Sequence, residues 1–144
     1  AATHIPLISI IGVSIAAAQE RAPGAERIGL LATDGCIKSG IYQAGLEEAG
    51  LEMELPSESE RGELMALIKT IKGGKHTEKT ARGMEALAEA LASRGAGAII
   101  AGCTEIPLVL GNDAVSVPLV SSTDALAEIT VKLATGEIPL PDCL

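Results

Sequence analysis

The sequence predicts an α/β fold in which helices cover a parallel sheet on both faces. Two observations support this prediction. Short aliphatic segments alternate with longer segments of helical periodicity along the chain. The short segments are apolar throughout, as in strands that are buried on both faces of a parallel sheet.

Five short segments predict strands, at residues 5–11, 27–32, 51–55, 98–101 and 117–120. Four of them are rich in aliphatic or β-branched residues, which favours buried strands. Residues 51–55 instead alternate apolar and acidic positions and end at Pro56. We therefore expect a sheet with one weaker strand.

Five longer segments predict helices, at residues 14–21, 37–49, 57–72, 77–94 and 124–134. Gly50 is suited to end the second helix, because glycine favours the left-handed conformation found there. The predicted N-caps of the last three helices are Ser57 or Ser59, Thr77, and Ser122 or Thr123.

Composition excludes several classes of partner. A chain of 144 residues, of which 47% are hydrophobic and 21% charged, is typical of a globular domain. It carries a net charge of −8 and a single aromatic residue, a tyrosine. Such a chain favours neither phosphate-backbone contacts nor base stacking, so we expect no nucleic-acid partner.

The cysteines and the longest apolar stretch indicate a location. Three cysteines are an odd number and are scattered, which does not suggest a disulfide framework and favours a reducing cytoplasm. Residues 5–18 are interrupted by polar residues, Gly and Pro. This stretch is shorter than the ~20 apolar residues of a membrane-spanning helix, so we expect no membrane partner.

Two turns follow predicted strands at the edge of the sheet where ligands bind in parallel α/β folds. They are Ala-Thr-Asp-Gly-Cys at 32–36 and Ala-Gly-Cys-Thr-Glu at 101–105. If a helix begins after each turn, its N-terminal N–H groups favour an anion and lower the pKa of a nearby thiol. Cys103 is therefore a candidate functional thiol, with Cys36 the weaker candidate.

Each of these residues also has a structural interpretation. A free cysteine most often packs in the core. Thr104 is also suited to cap a helix, and Glu105 to be an exposed acid in its first turn. Cys143 lies in a Pro-rich tail, and its presence is interpreted as incidental.

The remaining polar residues form no recognised metal or phosphate motif. His4 and His76 lack the spacing of a zinc site, and we expect no metal. The glycines form neither a dinucleotide-binding nor a Walker pattern. Three lysines at 69, 72 and 75 form either a solvated face or a carboxylate-binding cluster.

Three segments resemble aspartate/glutamate racemases. Residues 29–35 (GLLATDG) with 37–42 (IKSGIY) resemble the strand, turn and helix that open the second domain of that family. Residues 95–108 (GAGAIIAGCTEIPL) resemble the segment with the second catalytic cysteine. Residues 117–124 (VPLVSSTD) are similar to the closing strand and helix start, and the three segments occur in the family's order.

The resemblance implies a fold and a mechanism. Family members have two similar α/β domains with the active site between them, and a cysteine from each domain faces one side of the substrate Cα. One thiolate removes the α-proton and the other thiol delivers a proton, without pyridoxal or any other cofactor. The implied substrate is a small acidic amino acid, aspartate or glutamate, and the implied assembly is a homodimer.

The resemblance also assigns site residues. Cys103 matches the second catalytic cysteine. Thr104, Thr33 and Lys72 match positions that hold the substrate. Glu105 stands where glutamate racemases of the cell-wall type usually have His, which indicates the aspartate or broad-specificity branch. The resemblance also makes Glu105 a further substrate-binding residue.

The chain also departs from the family pattern. The first cysteine motif, Cys-Asn-Thr, is absent, because neither Cys nor Asn precedes Thr3. We expect residues 1–22 to be a crossover strand and helix from a missing first domain and 23–115 to be the second domain. Residues 116–144 then return toward the first domain. About ninety further residues, one domain, are expected upstream.

Alternatives to racemisation of aspartate or glutamate remain open. Related enzymes decarboxylate, isomerise or racemise hydantoins, and a non-catalytic module that binds acidic amino acids would keep the same half-site. We expect the 144 residues by themselves to racemise poorly or not at all. Cys36 lies on the same predicted domain as Cys103 and is not expected to be the missing second thiol.

Overall fold

The computed structural model describes residues 7–139, which form a four-stranded sheet flanked by helices. The strands are β1 (Arg27–Leu31), β2 (Glu52–Glu54), β3 (Ala98–Ala101) and β4 (Leu119–Ser121). Their order is β2-β1-β3-β4, and all three neighbouring pairs are parallel. The predicted parallel α/β fold is confirmed, with β1 and β3 in the middle of the sheet.

Six α-helices lie within the described residues. They are α1 (Ile10–Arg21), α2 (Asp34–Ser39), α3 (Ile41–Glu48), α4 (Glu58–Lys72), α5 (Glu78–Ser93) and α6 (Ser122–Ala134). Residues of α1, α3 and α6 share one buried cluster with Leu30 and Ile100. Residues of α4 and α5 share a second cluster with Leu31 and Ala101. Because neighbouring strand residues face opposite sides, the sheet is covered on both faces.

Local sequence explains where two of the longer helices begin. Ser57 caps α4 in a reciprocal capping box with Glu60. Thr77 caps α5 in the same reciprocal arrangement with Thr80. Both N-caps match the sequence predictions. Each capping side chain accepts a hydrogen bond from an N–H group that has no partner within the helix, which stabilises the helix start.

The predicted helix at 37–49 is two helices. Gly40 lies between α2 and α3 with a φ of 69°, in the left-handed region that ends a helix. The first of the two begins earlier than predicted, because Thr33 caps it and Asp34 is its first residue. The sequence pattern missed the break because Gly40 stands inside an otherwise helical periodicity.

The predicted strand at 5–11 is wrong where the structure describes it. Ile10 and Ile11 belong to α1, which Ser9 caps by accepting a hydrogen bond from the N–H of Gly12. Residues 5 and 6 lie outside the described residues. The run of β-branched residues favoured a strand, but the cap at Ser9 and the alanines that follow favour the helix.

The C-terminal strand belongs to the same sheet as the strands from the middle of the chain. β4 pairs with β3, and α6 packs beside α1. Ser121 caps α6 by accepting from the N–H of Asp124, so the predicted caps Ser122 and Thr123 lie inside the helix. The assignment of residues 1–22 and 116–144 to a missing first domain stays a prediction, and Cys143 lies outside the described residues.

Candidate active site

The site lies at the carboxyl ends of β1 and β3. From β1 the chain first forms β2 on one side and later β3 on the other, so the strand order reverses between β1 and β3. Open parallel sheets bind ligands in the crevice at such a point. Leu31 and Ala101 are partners in the ladder, so Thr33 and Cys103 follow neighbouring strands at the same level.

Two contacts fix the turn that carries Cys103. The N–H of Gly102 donates to the carbonyl of Leu31 across 2.8 Å. On the other side, the buried hydroxyl of Ser122 donates to the carbonyl of Ala101 across 2.9 Å. A Cβ on Gly102 would lie 3.1 Å from Leu30 Cδ1, so glycine permits this close approach. The neighbouring strand β1 and the first residue of α6 therefore hold the start of the turn.

Glu105 connects the thiol to two other predicted site residues. Cys103 Sγ donates to Glu105 Oε2 at 2.9 Å, and Thr104 Oγ1 donates to the same oxygen at 2.9 Å. Lys72 Nζ lies 3.5 Å from Glu105 Oε1. The Glu105 side chain is 12% exposed and that of Lys72 is 68% exposed. Four of the five predicted site residues thus meet in one cluster.

The cluster sets the protonation state of the thiol. Burial raises the pKa of Cys103 to about 11, and the hydrogen bond and charge of Glu105 add to the effect. The backbone N–H of Glu105 and the ammonium of Lys72 oppose it. Hydrogen bonds from Cys103 and Thr104 lower the pKa of the Glu105 carboxyl. At neutral pH the pair therefore consists of a thiol and a carboxylate.

The described residues contain no α-helix directly after Cys103. A helix N-terminus therefore does not lower the pKa of this thiol. Residues Ile106–Leu108 form one 3-10 turn with Pro107 near its start. A single turn aligns few peptide dipoles, so burial and Glu105 decide the pKa of the thiol. The prediction that this position lowers the pKa of Cys103 is wrong.

Thr33 and Cys36 lie on the turn that follows β1. Thr33 Oγ1 accepts from the N–H of Cys36 at 3.4 Å and caps α2. Cys36 is partly buried against the cluster beneath α1 and α3, and burial raises its pKa. Cys103 instead packs against the cluster beneath α4 and α5. The two thiols therefore belong to opposite faces of the sheet.

Sequence reasoning missed polar groups at the end of β4. Ser121 pairs with Ala101 in the ladder, and Thr123 follows in the first turn of α6. The hydroxyls of Ser121 and Thr123 lie 3.0 Å apart. The signal was the Ser-Ser-Thr sequence directly after a predicted strand, which was interpreted only as a helix cap.

Two further searches cover residues 7–139. Within that range no group of three or more His, Cys, Asp or Glu side chains is arranged to bind a metal ion. Over the same residues, no helix combines the length and the apolarity that crossing a membrane requires.

The fold and the site define an α/β protein with a hydrogen-bonded thiol at the point where its strand order reverses. The chain belongs to the Asp/Glu/hydantoin racemase family, whose sequence profile matches residues 1–130. The resemblance in the Gly-Cys-Thr-Glu segment is therefore confirmed at the level of the family.

Two individual relatives align with most of the chain. The chain is 30% identical over 128 residues to an uncharacterized protein of Pectobacterium carotovorum subsp. carotovorum, covering 88% of this chain and 83% of the relative. It is 29% identical to the broad specificity amino-acid racemase RacX of Bacillus subtilis (strain 168), covering 90% of this chain and 55% of RacX.

A solved structure has the same fold. The crystal structure of an aspartate racemase homologue from Pyrococcus horikoshii OT3 superposes with a TM-score of 0.80 at 28% identity. The superposition covers 92% of this chain and 58% of that one. The chain thus spans little more than half the length of RacX and of the Pyrococcus protein.

Proposed function

We propose that the protein is an amino-acid racemase that interconverts the L and D forms of aspartate or glutamate. Protons move at Cα without pyridoxal, and Cys103 carries the proton on one face of the substrate. The observation that carries this proposal is the hydrogen-bonded thiol of Cys103, beside Thr104 and Lys72, at the crevice between β1 and β3. Membership of the racemase family supports it.

The reaction needs donors as well as a thiol. Removal of the α-proton moves negative charge onto the α-carboxylate, and fixed hydrogen-bond donors aimed at that charge lower the barrier. The backbone N–H of Thr104, next to the thiol, is suited to this role, because the Thr104 hydroxyl donates to Glu105. Thr33, in the turn that follows β1, is suited to hold the opposite edge of the substrate. Holding the acid close to Cα contributes further, because proton transfer requires a short donor–acceptor distance.

Charge at the rim of the site favours an acidic amino acid. Lys72 keeps most of its side chain in solvent while its ammonium lies beside Glu105. That position suits a contact with the side-chain carboxylate of aspartate or glutamate, which a hydantoin lacks. The Glu105 carboxylate is suited in turn to accept a hydrogen bond from the α-ammonium of the substrate.

Racemisation also needs an acid–base group on the other face of Cα. Cys36 is a poor candidate, because it packs against the face of the sheet opposite to Cys103. We propose that the second thiol comes from outside residues 7–139, and the greater length of RacX supports this. A homodimer and a cytoplasmic location, where thiols stay reduced, complete the proposal.

The experiment is solvent proton exchange. The protein as its gene encodes it is incubated in heavy water with L-aspartate or L-glutamate, and loss of the Cα proton signal and appearance of the D form are followed. We expect both with the native protein and no D form with Cys103→Ala, whereas Cys36→Ala keeps both. Absence of exchange with either amino acid, from folded native protein, would show that the function is not racemisation of these substrates.

A further inference from the structure

Two hydrogen-bond donors and one ammonium hold the carboxylate of Glu105 in one orientation. Cys103 Sγ and Thr104 Oγ1 both donate to Oε2 at 2.9 Å. Lys72 Nζ lies 3.5 Å from Oε1 and balances the charge of the carboxylate. Because the Glu105 side chain is only 12% exposed, little water competes for these contacts. The carboxylate therefore keeps an acceptor oxygen fixed against the sulfur.

Two charged groups act on the Cys103 thiol. Glu105 lies in the same turn and Lys72 projects from the end of α4. The carboxylate accepts the thiol hydrogen directly, whereas the ammonium reaches the thiol only through the far oxygen of that carboxylate. Glu105 is thus the stronger influence, and it favours the protonated sulfur. Its backbone N–H has the opposite preference and stabilises a thiolate.

We propose that Glu105 is a positioning residue that holds Cys103 as a protonated thiol, so that Cys103 is the proton donor of the resting site. The inference rests on the proposed function and adds the direction in which this thiol first acts. The group on the other face of Cα removes the α-proton and leaves a carbanion. The S–H bond of Cys103 then breaks, a new Cα–H bond forms, and the electron pair stays on sulfur.

The same geometry supports the thiolate that results. Once the proton has left, the sulfur accepts the backbone N–H of Glu105, while Thr104 keeps the Glu105 carboxylate in place. The carboxylate and the N–H of one residue therefore serve the two protonation states of the thiol. A carboxylate at this position orients the S–H before the reaction, and it is not consumed by the reaction.

The test is a titration of each cysteine. The native protein and Glu105→Gln are alkylated with iodoacetamide at a series of pH values, and modification is read for each cysteine by peptide mass spectrometry. We expect native Cys103 to titrate with a pKa near 11. Without the carboxylate the pKa falls, and each unit of decrease raises the thiolate fraction at pH 8 about tenfold.

Racemisation supplies the second readout. If Cys103 must start as a thiol, the decline of kcat/KM at high pH follows its titration. Glu105→Gln should then shift that decline to lower pH and reduce kcat/KM, while Glu105→Asp restores part of both. Glu128→Gln, which removes an exposed carboxylate paired with Lys132 on α6, is the matched control and should change neither.

The outcomes separate this inference from the proposed function. Faster alkylation of Cys103 with unchanged alkylation of Cys36 supports it, because unfolding would expose both thiols. An identical Cys103 titration in native protein and Glu105→Gln overturns it. So does a native Cys103 that titrates at or below the ordinary pKa of 9, a result that needs no variant. If racemisation is absent altogether, the proposed function fails, whereas the titration still shows whether Glu105 controls the thiol.

Discussion

The hydroxyl of Ser122 donates to the carbonyl of Ala101 across 2.9 Å, although the two residues are 21 positions apart in the chain. Both are buried, and the bond connects the first residue of α6 to the last residue of β3. Cys103 follows two residues after Ala101. The start of the thiol turn is therefore fixed by a side chain from the C-terminal helix.

Replacing Ser122 with Ala should reduce stability. The change removes one buried hydrogen bond, which typically contributes about 1–3 kcal/mol when its partner is left unsatisfied. We expect a loss of that size in the free energy of unfolding, measured by urea titration. Ser93→Ala, at an exposed position near the end of α5, is the matched control and should stay within about 0.5 kcal/mol of the native value. Equal stability of Ser122→Ala and native protein would contradict the assigned role.

Replacing Lys72 with Met should weaken recognition of acidic substrates. Methionine keeps most of the unbranched side chain but removes the ammonium that lies beside Glu105. A charged hydrogen bond is worth about 1.5–3 kcal/mol, so KM for aspartate or glutamate should rise about tenfold to a hundredfold.

The measurement for Lys72 is a pair of Michaelis curves. Lys79→Met removes an exposed lysine at the start of α5 and should leave KM unchanged. If Lys72→Met has the same KM as native protein, Lys72 does not contact the substrate.

Replacing Arg94 with Met should make the free energy of unfolding less dependent on pH in the acid range. Arg94 bonds to Glu54 and Glu60, and its hydrogen bonds lower the pKa of the Glu60 carboxyl. A lowered folded pKa adds stability that is present above the unfolded value of about 4.3 and is lost as pH falls through the folded value. Native protein should therefore exceed Arg94→Met by at most about 1 kcal/mol at pH 7.

Urea titrations at several pH values test the Arg94 prediction. The difference between native protein and Arg94→Met should shrink as pH falls below about 4.3. Arg82→Met removes an exposed arginine that pairs with Glu78 on the same helix, and it serves as the control. A difference that does not change with pH would mean that the packing of the arginine, not its charge, stabilises the protein.

Replacing Gly97 with Ala should destabilise the sheet. A Cβ at this position would lie 2.6 Å from Ala25 Cβ, and neither atom is at the end of a flexible side chain. The backbone must move, at a typical loss of about 1–3 kcal/mol in the free energy of unfolding. Gly111→Ala is the control, since no heavy atom lies within 4 Å of its added Cβ. In thermal unfolding, Gly97→Ala should have a lower melting temperature than native protein. Gly111→Ala should have an equal or higher one.

The sequence predicted the sheet better than the connections between its elements. β3 was predicted to the residue, because Ala98–Ala101 is apolar at each position and glycines flank it. The break at Gly40 was missed, since one glycine within a helical pattern is often tolerated. The strand predicted at 5–11 is wrong over residues 7–11, because Ser9 caps a helix that begins with the branched residues Ile10 and Ile11.

The site was predicted by residue type but not by contact. Cys103, Thr104 and Glu105 were evident as a strand-end segment, whereas Lys72 was one of three clustered lysines and only the family resemblance selected it. No spacing rule indicates that Lys72 reaches Glu105, because the two residues are 33 positions apart and both α5 and β3 lie between them. The raised pKa of the thiol was also out of reach, since it depends on burial that sequence does not specify.

The central position of β3 has a consequence for how the site moves. The amide of Ile99 bonds toward β4 and that of Gly102 bonds toward β1, so both edges of the strand are engaged. Amides held in this way exchange with solvent only when the sheet itself opens. The framework beneath Cys103 should therefore persist for as long as the domain is folded. Under the proposed function, contacts with the substrate would then adjust through the long outer side chains, Lys72 above all, which can reorient within nanoseconds.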